Sequence, residues 1–287
     1  MEFIDKQRGK KWAHKIIDDF LSRCRQYGQP FPIDLYKALK DDRKDGVNTF
    51  QQYSEGILKE NDCRCCYCMR TIKQHPLSHK YHVTLEHVIL NSIVKQSDYD
   101  AYYCTPSELE RKDMTLTANF VKSQQYPPYP HTIAYENLIP SCLGNFPRTC
   151  STSKTCNNYR GNQFLPPLVF RRTIKNEIRY YTDGTVEWTE DSRYNKNEIP
   201  YINILGLNYI DLRFIRCVWY YLTKERLDYN TLEDRERVLR IIEAELNDED
   251  KDSRELLESL RKFNDDAYWE LLGDFLYFNQ KDLFCTR

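Results

Sequence analysis

Eight of the eleven cysteines lie between Cys63 and Cys156, and five of the six histidines between His75 and His131. The opening residues, Met1-Glu2-Phe3-Ile4-Asp5-Lys6, form no apolar secretory stretch, so the crowding points to metal binding rather than to a disulfide scaffold. Four separated pieces carry it. Cys65-Cys66-Tyr67-Cys68 is a C-x-x-C, the spacing with which thiolates grip zinc. Leu85-Glu86-His87-Val88 sets an acid beside an imidazole, and a neutral imidazole can take a proton from water. Asn137-Leu138-Ile139-Pro140-Ser141-Cys142 follows, and Cys156-Asn157-Asn158-Tyr159-Arg160-Gly161 completes the set.

In order and spacing these pieces resemble the HNH nuclease family, across about 100 residues of the chain. The family places an acid-His pair on a first strand, an Asn-Leu before a Cys, and a Cys-Asn or Cys-His at the start of a helix. The resemblance implies an α+β fold: a zinc-stapled ββα-metal core flanked by mainly helical N- and C-terminal regions. It implies hydrolysis of phosphodiester bonds in nucleic acid, DNA first, with His87 as general base. Glu86 and Asn157 become ligands of a catalytic Mg²⁺ or Mn²⁺, since both offer hard oxygen donors. Asn137 braces the loop and orients His87. Arg160, where the family usually has Lys, becomes a phosphate contact. Cys65 and Cys68 hold a structural Zn²⁺ with two later cysteines, expected to be Cys142 and Cys156. Thirteen residues separate that second pair and Cys150 lies between, so Cys142/Cys150 and Cys150/Cys156 remain alternatives. Cys63 and Cys66 read as neighbours of the ligands. Asn158 is the second choice after Asn157, and His82 lacks the acid neighbour that marks His87. His75, His79 and His131 read as loop histidines without a role. Leu90 stands where the family often has Pro. The long stretch from His87 to Asn137 implies an insertion of about one helix over the site.

Three segments must position these residues: a helical region over 1–62, the nuclease core over 63–170, and a hairpin with helices over 171–287. In the first, Trp12, Ile16, Phe20 and Cys24 repeat every fourth residue, with Ile17 and Leu21 beside them, until Gly28 and Pro30 stop the helix. Further helices are expected over 34–40 and 48–60, the latter with Phe50, Tyr53 and Ile57 on one face. In the second, 81–90 reads as a strand. Thr105-Pro106-Ser107-Glu108 starts a helix, 126–131 is an extended loop, and a short helix follows Cys156. In the third, Asp183-Gly184 marks a hairpin turn between 177–181 and 185–188. Helical stripes follow at Leu212/Ile215/Val218/Trp219/Leu222, Val238/Ile241/Ile242/Leu246 and Leu256/Leu257/Leu260/Phe263, with a last helix over 268–278. The acidic run 247–252 reads as a linker.

Composition bounds the rest. Aromatics at 14% are too many for a disordered chain, and no apolar run is long enough to span a membrane, so the expected location is the cytoplasm. A net charge of −1 names no partner, although 63–162 carries +4 against −6 for 163–287, a mild fit to a polyanion in the middle. The order of the flanking segments also resembles the PtuB-like HNH effectors of Septu-type and retron-linked antiphage systems. That likeness rests on the hairpin, on Ile202-Asn203-Ile204-Leu205-Gly206-Leu207-Asn208 and on the helix with Arg213 and Arg216. It implies an ATPase partner docked on the C-terminal helices. The competing readings are a zinc-stapled nucleic-acid or protein binding module with an inactive pocket, and a restriction or mobile-element HNH nuclease.

Overall fold

The computed structural model describes residues 1–26, 34–78, 80–81, 83–88, 90–91, 131–147, 154–163, 165, 168–192, 201–246 and 251–286. It is a mixed α+β structure, about half helical, with small sheets. The expected helix start at 105–108, most of the 126–131 loop, Gly28, Pro30, His79, His82 and Cys150 fall outside these residues.

The N-terminal region is helical. Helix α1, Lys10–Gln26, buries Ala13, Ile17, Phe20 and Leu21. Trp12, Ile16 and Cys24 lie at the margin of that face, which is turned from the expected stripe. Helix α2, Leu35–Asp41, starts where the Asp34 carboxylate accepts the Lys37 N–H, and it buries Leu35 and Leu39. Helix α3, Thr49–Glu60, is capped by Asn48 in the same way and buries Tyr53, Ile57 and Leu58. It crosses α1 at Gly56, where an added Cβ would lie 2.5 Å from the Trp12 ring. Strands β1, Arg43–Lys44, and β2, Val47–Asn48, make a small ribbon between α2 and α3.

The middle is built on a two-stranded antiparallel ribbon. Strand β3, Thr84–His87, pairs with β4, Leu138–Ser141, in the register Thr84↔Ser141, Leu85↔Pro140, Glu86↔Ile139 and His87↔Leu138. The strand expected over 81–90 is confined to four residues, matching the four that its partner supplies. Side chains alternate across the ribbon. Leu85 and Leu138 join a core with α1–α3, while Val88, Ile139 and Cys142 join the larger core of the C-terminal half. The ribbon therefore separates two cores. Lys6 ties down its edge, its Nζ donating to the Leu138 carbonyl at 2.6 Å and lying 4.1 Å from the Tyr135 ring centroid. A short helix α4, Cys156–Arg160, follows Thr155.

In the C-terminal half the hairpin forms as its turn signal implies: β5, Ile178–Tyr181, against β6, Val186–Trp188. Gly184 takes φ +77°, and an added Cβ would meet the Arg213 carbonyl oxygen at 1.8 Å, so glycine is needed both for the turn and for the packing. Strand β7, Phe284–Cys285, adds to β5 in parallel, an element with no sequence signal. Helix α5, Ile210–Glu225, is buried nearly all round, and α6, Leu232–Glu245, and α7, Lys251–Leu260, pack against it. The helix expected over 268–278 is α8, Asp266–Leu272, followed by a tighter 3₁₀ turn over Gly273–Phe278 with a non-helical Phe275. Among the described residues no helix is long and apolar enough to cross a membrane.

Candidate metal centre and the ribbon beside it

The four expected cysteines converge. The sulfurs of Cys65, Cys68, Cys142 and Cys156 all lie within 4.8 Å of one another, and all four residues are buried. Cys65 and Cys156 are 3.7 Å apart, Cys68 and Cys142 3.6 Å, and Cys142 and Cys156 3.7 Å. A tetrahedron of sulfurs about 2.3 Å from a central zinc has edges of about 3.8 Å. The cluster can thus hold a structural zinc ion.

Local backbone geometry makes this possible. The Cys65 N–H donates to the Arg70 carbonyl at 2.8 Å and the Met69 N–H to the Cys65 carbonyl at 3.1 Å, closing a tight knuckle. Met69 and Cys156 both take left-handed φ, +63° and +64°. The Cys66 N–H donates to the Pro140 carbonyl at 3.0 Å, which docks the knuckle on β4. Gly144, at φ +70°, brings the chain back so that Lys154 donates to its carbonyl, and an added Cβ would sit 2.0 Å from the Thr155 carbonyl oxygen. The thiols oppose one another: burial first, and the neighbouring sulfurs second, push Cys68 and Cys156 well above the usual thiol range. Against its own burial, the contacts with the Cys142 and Cys156 sulfurs hold Cys65 well below it. Cys66 is buried beside the cluster but outside it, and Cys63 lies 4.0 Å from the Tyr81 hydroxyl.

The other sequence-selected residues divide between the two faces of the ribbon. Glu86 is 1% exposed and looks toward α4, where Arg160 donates to its Oε1. Glu86 Oε2 is buried with no hydrogen-bond partner among the described residues. Asn157, half-buried, stands three residues before Arg160 and so shares its side of α4. Its backbone N–H points to Ser141 Oγ at 3.4 Å. Asn158 is exposed and directed to the Leu143 carbonyl. Arg160 corrects an expectation: at 1% exposure it is neither a solvated helix charge nor an open phosphate contact, because Glu86 and the Gln163 carbonyl, 2.8 Å from Nε, hold it inside.

His87 faces the other way. Its Nε2 lies 2.9 Å from the Thr132 carbonyl, and the Tyr36 ring meets it edge-on at 4.5 Å between centroids. A carbonyl partner fixes the proton on Nε2 and leaves Nδ1 as the acceptor. Burial pushes the imidazole down to about 4, so it is neutral at pH 7. His131, expected to be an idle loop residue, is buried next to it, with Nε2 3.1 Å from the Leu90 carbonyl. Asn137 Nδ2 donates to the His131 carbonyl at 2.8 Å, and the Asn137 carbonyl accepts the Val88 N–H at 2.9 Å, tying the 131–137 loop to the end of β3. Tyr36 had no signal in the sequence beyond its place one turn before Lys40, whose Nζ lies 4.4 Å from the same ring.

The four-cysteine cluster is the one group of three or more His, Cys, Asp or Glu side chains among the described residues close enough to share an ion. No protein-family model, no curated protein and no solved structure matches the chain.

Proposed function

We propose that the chain is a metal-dependent HNH-type endonuclease that hydrolyses phosphodiester bonds, with DNA as the first substrate to try. One observation carries the reading. A ribbon ending in Glu86-His87 and a helix opening Cys156-Asn157 are clamped together by the cluster of four cysteines, and Glu86 faces that helix. Glu86 and Asn157 would hold a Mg²⁺ or Mn²⁺ ion, and the unpartnered Glu86 Oε2 is an oxygen of the kind such an ion takes. That ion, when bound, supplies charge stabilisation at the scissile phosphate and the leaving oxygen. His87 is neutral and accepts the proton of the attacking water at Nδ1, the nitrogen its Thr132 contact leaves open. Asn137 acts as a positioning residue by tying the loop that carries Thr132 to β3. An antiphage role with an ATPase partner rests on the resemblance of the flanking segments alone.

A second reading, a zinc-stapled binding module with a silent pocket, has its own observation: Arg160 occupies Glu86, and His87 faces the opposite side of the ribbon. Cleavage decides between them. Purified protein is given supercoiled plasmid and structured RNA with Mg²⁺ or Mn²⁺. The nuclease reading predicts cutting that His87→Ala lowers by about a hundredfold or more, the usual contribution of a general base. Binding of the same nucleic acids without cutting by the wild type favours the module.

A further inference from the structure

Glu86 and Arg160 form the one ion pair among the described residues in which both side chains are only 1% exposed. It is an incomplete pair. The guanidinium fork can grip both oxygens of a carboxylate, yet it takes Oε1 alone and spends its Nε on the Gln163 carbonyl. Oε2 stays buried and unpartnered. An ionised carboxylate out of water with one oxygen unserved is a site still short of a cation.

We infer that Arg160 is a resident counter-ion that competes with a divalent cation for Glu86, and so sets the affinity of the oxygen-donor site; this rests on the nuclease reading. Arginine cannot shed its proton, so both cations bear on one carboxylate and repel each other at short range. The guanidinium keeps the buried Glu86 neutralised without a metal. A divalent ion brings two charges to the same oxygens and drives Arg160 off Oε1. Removing Arg160 leaves the carboxylate uncompensated, and a metal then meets a site with no competitor.

The test is Mn²⁺ binding to the zinc-loaded full chain, read from the electron paramagnetic resonance of free Mn²⁺. Folding and zinc content are measured alongside. Arg160→Gln is expected to bind one Mn²⁺ about tenfold more tightly than the wild type, and adding Glu86→Gln removes the gain. If Arg160→Gln does not fold, Arg160→Lys serves, since a compact ammonium matches a carboxylate less well; about threefold tightening is expected. Unchanged or weaker affinity in the folded variant overturns the competition, and does so alone if the wild type cuts nucleic acid. Mn²⁺ binding that Glu86→Gln lowers in no background overturns the competition and the proposed metal ligands together.

Discussion

Cys156→Ser is expected to leave the chain without zinc and without a cooperative melt. A structural zinc contributes roughly 10–16 kcal/mol of apparent binding energy in small domains. That matches or exceeds the whole stability of a typical domain, about 5–15 kcal/mol. Here the ion has much to hold. The four cysteines come from the knuckle after α3, from the end of β4 and from the start of α4, and no regular ladder joins all three. Cys156 also takes a left-handed φ and donates its N–H to the Leu205 carbonyl, so its displacement disturbs the C-terminal half as well. Cys66→Ser is the control: its side chain is buried one residue from a ligand, but it is not one of the four. Zinc content by atomic emission and a thermal melt read the difference. Retention of zinc and of the wild-type midpoint by Cys156→Ser would refute the assignment.

Arg160→Met is expected to cost about 3–5 kcal/mol in a urea titration without divalent ions, because it strands an ionised Glu86 inside the protein. Pairing it with Glu86→Gln should recover most of that loss, since a buried ion pair replaced on both sides is often close to neutral. The non-additivity of the double-mutant cycle is the readout. Additive losses would mean that Arg160 stabilises α4 through Gln163 or its packed stem, not through Glu86. The buried pair thus links the stability of the ribbon and helix to the charge on the proposed metal ligand.

What the sequence made legible follows from how local each signal is. Cys65 and Cys68 could be picked out because thiolate chemistry is written in residue type and spacing, whereas Cys142 and Cys156 followed from the family resemblance, with Cys150 left as an alternative to either. The caps at Asp34 and Asn48 and the turn at Asp183-Gly184 are likewise decided within a few residues. Long-range partners decide the rest. Arg160 is ordinarily a surface residue, and only Glu86, 74 positions away, brings it inside. The edge-on contact of Tyr36 with His87 joins two segments with no shared periodicity. Strand β7 is two residues long, too short to carry an alternation. The turned face of α1 reflects packing on Gly56, where the absent side chain admits Trp12 at the margin.

In the proposed nuclease two metals would occupy two donor sets: four sulfurs for structure, and the oxygens of Glu86 and Asn157 for chemistry. Dialysis of the folded protein against EDTA, followed by zinc analysis and a plasmid cleavage assay with and without added Mn²⁺, tests that division directly. The predicted result is zinc retained, cleavage lost, and cleavage restored by Mn²⁺ alone. Cleavage that persists after dialysis with zinc still bound, or that returns only on adding zinc, would contradict it.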